Sequence, residues 1–242
     1  MKKFVIPVLI LVFGCIQHNA QAQSGSVDDS KLRFGLQVSP VVSWLSSDES
    51  EVKGGGVNVG LKLGALGEYN FAKNYSIAVG IGFGFSHGGK LQFPGGGNLL
   101  PKSELPDVPA QYRRNLPADT KIDYRLTFIE FPVSLKLRTR EFGYVKYYAE
   151  IPIINLSAIT QAKANIDAAN LDVNKQKIKS DIKVLNAQWG IGLGMEYNLS
   201  QDFSMVFGVY YTQGFFDLTK KYANIDDKAV DHVITFRIGA LF

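Results

Sequence analysis

Eleven charged residues sit at alternate positions of strand-like segments, and their spacing limits the chemistry they can support: Arg33, Lys62, Glu68, Glu130, Lys136, Arg138, Lys146, Glu150, Glu196, Asp231 and Arg237. All fall on the polar phase once each segment's phase is fixed from its apolar residues alone. Glu130, Glu150 and Glu196 are the carboxylates that could pass a proton or a solute along a bore. The set holds six bases and five acids, however, and near balance favours mutual pairing over the single-sign lining of a conducting pore. The expected arrangement is an interior ion-pair network carried by Lys62, Glu68, Glu130, Lys136, Lys146, Glu150, Glu196 and Arg237.

Catalysis has little to work with. Past the first 22 residues the only histidines are His87 and His232, expected near one rim on different strands, with His232 on the outward, apolar phase. A rim hydrolase needs nucleophile, base and orienting acid within reach of one another. A metal site needs ligand spacing that does not occur here. Gly80-x-Gly82-x-Gly84 and Gly190-x-Gly192-x-Gly194 suggest phosphate loops only superficially, because they lie mid-strand with no helix following. No enzyme activity, metal or cofactor is expected.

The elements that must position these charges are strands. From Leu185 to Leu199 every odd-numbered residue except small Ala187 is large and apolar, while the even positions are Asn, Gln, Gly and Glu; a short turn at 200–202 leads to Phe203, Met205, Phe207, Val209 and Tyr211 on one face of a second arm. Alternation of this length specifies β-strand. Period two does not say which face meets lipid, but the polar face decides. A water-facing surface is crowded with Lys and Glu; this one is mostly Gly, Asn, Gln and Ser, which suits the narrow interior of a small barrel. Large aliphatic and aromatic residues on the other face suit lipid and its aromatic girdles.

The same pattern repeats along the chain. Strand one places Phe34, Leu36, Val38, Pro40, Val42 and Trp44 outward, with a bulge or weak pairing expected at Pro40. Strand two runs over 57–71 and strand three over 75–86. Strand four begins with Ile122, Tyr124, Leu126 and Phe128 outward and changes phase at Ile129, which predicts a bulge near Phe128. Strand five has Val145, Tyr147, Ala149, Ile151 and Ile153 outward. Ser157–Lys183 reads as a long loop with a turn or two of helix over 158–169. Strand eight ends on Phe236, Ile238, Ala240 and Phe242, outward at alternate positions, which resembles the signal read by the barrel-assembly machinery. Short turns follow strands two, four and six, and the other connections are long. The fold expected is an all-β, eight-stranded antiparallel transmembrane β-barrel over 33–242.

Residues 1–22 read as a cleaved signal peptide: Lys2 and Lys3, an apolar run from Phe4 to Phe13, and Ala20-Gln21-Ala22 as the cleavage site. The rival is lipidation of Cys15 in Val12-Phe13-Gly14-Cys15, although Phe13 fits that box poorly. Residues 23–32 read as a periplasmic lead-in. Removing Lys2 and Lys3 takes the formal charge from +4 to +2, too little to suggest nucleic acid. The Pro- and Gly-rich stretch 87–121 is the longest loop expected and the candidate partner site, with Tyr112, Arg113 and Arg114 beside Leu99, Leu100, Leu105 and Leu116. Replacing 94–117 by a linker is expected to leave the barrel folded.

Phe128-Ile129-Glu130-Phe131-Pro132-Val133-Ser134-Leu135-Lys136, Gly190-Ile191-Gly192-Leu193-Gly194-Met195-Glu196-Tyr197 and the closing Arg237-Ile238-Gly239-Ala240-Leu241-Phe242 resemble the PorT-like outer-membrane β-barrel family of Bacteroidota, small porin-family barrels. That resemblance implies Glu130 and Pro132 on the inner side and points toward type IX secretion, from whose accessory protein the family takes its name. The expectation is a non-enzymatic integral barrel of the cell outer membrane, structural or accessory to envelope or secretion assembly. Its partners would be outer-membrane lipid, the barrel-assembly machinery and an envelope or secretion-system protein. The alternative is a narrow channel for small solutes or ions.

Overall fold

The structure, a computed structural model, describes residues 31–47, 52–200, 202–220 and 229–242. The expected signal peptide, Cys15 and most of the expected lead-in lie outside those residues. The strands are β1 (Leu32–Ser46), β2 (Lys53–Ala72), β3 (Tyr75–Phe93), β4 (Thr120–Arg138), β5 (Val145–Ala168), β6 (Leu171–Lys177), β7 (Leu185–Asn198), β8 (Ser204–Gly214) and β9 (Val230–Leu241). Eight of them close a ring of antiparallel pairs in the order β1-β2-β3-β4-β5-β7-β8-β9 and back to β1. β6 is a ninth strand outside the ring, paired only with the upper part of β5. The seam is finished at the last residue, where Phe34 and Phe242 exchange backbone hydrogen bonds of 2.9 and 2.8 Å. Closure leaves no strand edge unpaired in the ring, the condition for crossing lipid.

Strand length explains the shape. A tilted strand crosses a bilayer in ~9–11 residues, whereas β3 and β4 have 19 and β5 has 24. One side of the barrel therefore rises well beyond the membrane at the end bearing the long connections. Along the crossing half, Phe34, Leu36, Ile77, Val79, Phe131, Val133, Ile191 and Leu193 face outward and exposed. Along the rising half the polarity of the wall inverts. Lys121, Asp123 and Arg125 face out, while Ile122, Tyr124, Leu126 and Phe128 face in and are buried.

This inversion corrects the expected phase change in β4. Even-numbered residues of β4 stay inward from Thr120 to Lys136, so Ile122 to Phe128 never face lipid. Above the bilayer the outer face meets water, and the apolar residues belong inside. The register shifts at this level are in the neighbours instead. β3 takes an extra residue between Gly84 and His87, with Ser86 at φ 58°, and β5 takes one opposite the step from Thr127 to Phe128. In β5 a further shift between Glu150 and Ile153 turns Ile153 inward, against expectation, and brings Ile154 and Leu156 out. Pro40 causes no bulge: its register with β2 is continuous, and the ladder to β9 merely lapses between Val38 and Val41.

Two expected loops are partly strand. β3 continues through His87 to Phe93, so the long connection is 94–119. Residues 158–168 are not helical but complete β5, because Ala162, Ala164 and Ile166 alternate inward with outward Lys163, Asn165 and Asp167 and pair with β4. Alanine's helix propensity is overridden by the partner strand that satisfies its backbone.

Candidate functional site

The bore is a stack of three polar layers beneath an apolar cap. In the layer nearest the short turns, Glu68 on β2 and Glu196 on β7 both receive Lys136 at 2.5 Å. Arg138 pairs with both carboxylates, at 2.9 Å to Glu196, and Arg33 reaches Glu196 at 3.0 Å and Glu68 at 3.7 Å. Arg138 also donates to Ser76 and Asn70. The alternation of β1, β2, β4 and β7 brings these side chains to one level from four strands. Three bases on two acids leave no carboxylate oxygen to water.

The middle layer is built on Glu150. Arg237 donates to it at 2.7 Å, Ser134 at 2.9 Å and the Tyr210 hydroxyl at 3.0 Å. The Tyr148 and Tyr210 hydroxyls lie 2.7 Å apart, and both rings face cations, with Lys136 4.1 Å from the Tyr148 centroid and the Arg237 guanidinium 3.9 Å from that of Tyr210. Such contacts add to the pairing when desolvated. The glycines of β7 make the space: a Cβ at Gly192 would come 2.1 Å from the Tyr210 ring, and one at Gly194 2.4 Å from Tyr148.

The third layer is more amide than ion. Lys62 donates to Glu130 at 2.8 Å, and Asn155 bridges Glu130 and Gln188 at 2.9 Å each. Gln188 and Asn186 donate to Asp231 at 2.6 and 3.2 Å.

Above this layer the interior becomes apolar. Leu99, Leu100, Leu105, Val108 and Leu116 from the 94–119 connection pack down among Leu91, Phe93, Ile122, Tyr124, Leu126, Phe128, Ile159 and Ile166 of the rising strands. The connection is tied laterally. Ser103 donates to Asp181, whose other carboxylate oxygen accepts the Lys102 backbone N–H at 3.1 Å, and Gln176 on β6 donates to Asp107 at 2.7 Å. This long loop is a plug that shares one core with the rising strands.

The residues singled out from the sequence are placed as follows. Lys62, Glu68, Glu130, Lys136, Glu150, Glu196 and Arg237 meet in the bore; Lys146, the register partner of Glu196, lies at the short-turn end, 3.5 Å from Glu141. Tyr112 packs against the cap, and Arg113 donates to the carbonyls of Val108 and Pro106 at 2.8 and 3.0 Å, so its guanidinium shapes the loop. Arg114 is exposed. The leucines beside them, expected to suit a partner, are buried in the cap. Phe236, Ile238 and Phe242 are exposed on the outer wall. His87 is buried inside, its ring centroid 4.4 Å from that of Phe128 in an edge-on arrangement, and neither nitrogen is hydrogen-bonded among the described residues. His232 is on the outside, stacked on Trp44 at 5.3 Å and bonded to Ser46 and Tyr211. The barrel wall lies between the two histidines, and among the described residues no group of three or more potential metal ligands assembles. Tyr148, Tyr210, Asn155 and Gln188 carry no charge that marks them in the sequence, though Tyr210 lies directly opposite Gly192 in the hairpin, and a large inward residue facing a glycine is a readable signal.

Comparison with solved structures finds likeness to the Neisserial surface protein A (14% identity, 86% of this chain and 95% of that one, TM-score 0.39), Ail of Yersinia pestis (12%, 87% and 98%, 0.39) and OprG of Pseudomonas aeruginosa (11%, 87% and 95%, 0.44). Comparison with curated proteins finds no match. The family described as outer membrane protein beta-barrel domain matches residues 19–220. With a closed eight-strand ring, a lipid-facing apolar belt and that match over most of its length, the chain belongs to the outer-membrane β-barrel domain family and is an outer-membrane protein.

Proposed function

We propose that this barrel is a closed, non-enzymatic anchor that holds a folded extracellular platform above the membrane. The observation that carries the reading is the filled bore: three layers of paired charges and amides, sealed by the cap of the 94–119 connection. An eight-strand barrel has room inside for side chains and little else, and here the side chains take that room. The short turns then face the periplasm and the rising β3 to β6 face outward, as in barrels of this kind. The PorT-like resemblance gives the platform a natural employment as an accessory of envelope or secretion assembly. Swelling of proteoliposomes in arabinose tests closure: the rate should equal that of protein-free vesicles. A deletion strain with unchanged secreted proteins would remove the secretion role and leave the anchor.

A further inference from the structure

The rising face carries a row of cations placed directly above the lipid belt. On the outer side of the β4–β5–β6 sheet, Arg125 is the register partner of Lys163, and Lys163 is the register partner of Lys177. All three are exposed, between chain neighbours that are buried. Directly opposed like charges destabilise a sheet, and little within the sheet offsets them. Asp123 lies 3.0 Å from Arg125, while Lys163 and Lys177 form no salt bridge among the described residues. Lys179, donating to the Thr160 carbonyl at 2.8 Å, adds a further cation beside the row. Of the other acids on this face, Asp167 and Asp172 are register partners two outward positions higher, away from the membrane and beside Lys121.

The height of the row identifies its counter-charge. One outward residue, Thr127, separates Arg125 from Ile129, where the apolar belt of β4 begins. Four residues span ~13 Å along a strand, or roughly 10 Å along the membrane normal at the usual tilt. The backbone of the row then lies just above the headgroup layer, and long cationic side chains bend toward it along their apolar stems. We propose that Arg125, Lys163 and Lys177 form a binding site for the phosphate groups of an outer-leaflet lipid headgroup of the lipid A type. The proposal rests on the reading that the long-loop end faces outward.

The test uses the protein purified from outer membranes and reconstituted in phosphatidylcholine nanodiscs containing bisphosphorylated lipid A. Lipid A is then present in both leaflets, so the outcome does not depend on orientation. Bound lipid A is counted by native mass spectrometry. Near-surface cations contribute roughly fivefold each in affinity, so Arg125→Gln/Lys163→Gln/Lys177→Gln should bind about a hundredfold more weakly. Lys163→Arg/Lys177→Arg should bind as the unmutated protein does, and heat-modifiable gel mobility establishes that both variants are folded. Dephosphorylated lipid A should bind the unmutated and the triple-substituted proteins equally weakly. Undiminished binding by the triple variant, or equal binding of dephosphorylated lipid A to the unmutated protein, overturns the site. Displacement by inorganic phosphate at matching concentration would make it a free-anion site and overturn the lipid assignment. Orientation is settled separately by protease cleavage of the 94–119 connection in intact cells.

Discussion

Arg237 on β9 donates to Glu150 on β5 at 2.7 Å, across three strand-to-strand steps of an eight-strand ring. The pair therefore crosses the bore. Tyr148 and Tyr210, their hydroxyls 2.7 Å apart, fill the space beside it, seated over Gly194 and Gly192 of the adjacent β7.

Removing one partner of such a pair strands the other. Glu130→Gln leaves the buried Lys62 ammonium facing an amide in place of a carboxylate and should cost ~3–5 kcal/mol. Urea unfolding of the protein in lipid vesicles measures the loss. Lys62→Met/Glu130→Gln removes both charges and should recover part of it; a double variant as unstable as the single one would mean that the ion pair is not what the bore depends on.

The seating of the tyrosines predicts a contrast between two glycine substitutions. Gly192→Ala places a methyl group 2.1 Å from the Tyr210 ring and should destabilise the barrel by ~1–3 kcal/mol through overpacking. Gly95→Ala, with nothing within 4 Å of its Cβ, should be neutral in the same unfolding measurement. Equal effects would remove the tyrosine packing from the account.

The cap predicts that the long connection is structural. Leu100→Asp/Leu105→Asp places charges where 3% and 2% exposed leucines pack, and should speed protease cleavage within 94–119 at least tenfold while the heat-modifiable barrel persists. The sequence alone suggests that 94–117 is dispensable for folding, but with Leu99, Leu100, Leu105, Val108 and Leu116 buried among the strands its excision should lower folded yield, because the apolar interior beneath it would meet water. A loop-excised protein with wild-type yield would show that the rising strands hold their core unaided.

How far these features could be read from the sequence depended on height. In the crossing half, lipid outside and a narrow interior inside impose one polarity rule, so Phe34 to Val38, Ile77 to Phe83 and Ile191 to Tyr197 declare their faces by size alone. Above the bilayer the rule reverses, and period two carries no mark of the reversal. Ile122, Tyr124, Leu126 and Phe128 therefore read as lipid-facing in sequence, and only a bulge reconciles that phase with Glu130, whereas they face inward. The reversal does leave one mark: Lys121, Asp123 and Arg125 share the phase of Phe131 and Val133, and charges in that phase mean water outside. The inward charges were legible for the same reason the strands were, but their pairing was not. Which lysine meets which glutamate depends on ring closure and on bulges such as the one between Glu150 and Ile153.

The seam predicts a role for the last residue. Phe242 exchanges both backbone hydrogen bonds with Phe34, so its deletion removes the final rung of the ring along with an exposed aromatic. Inserted protein, measured as the heat-modifiable band in outer-membrane fractions, should fall several-fold. An unchanged band would assign assembly to upstream positions of β9 alone.

The central claim is that the bore is closed by its own side chains, and single-channel recording in planar bilayers tests it most directly. The unmutated protein, its folding verified by gel mobility in the same preparation, should give a current indistinguishable from the bare bilayer across the applied voltage range. A steady, stepwise ion conductance from that protein would contradict the closed bore and make the barrel a channel.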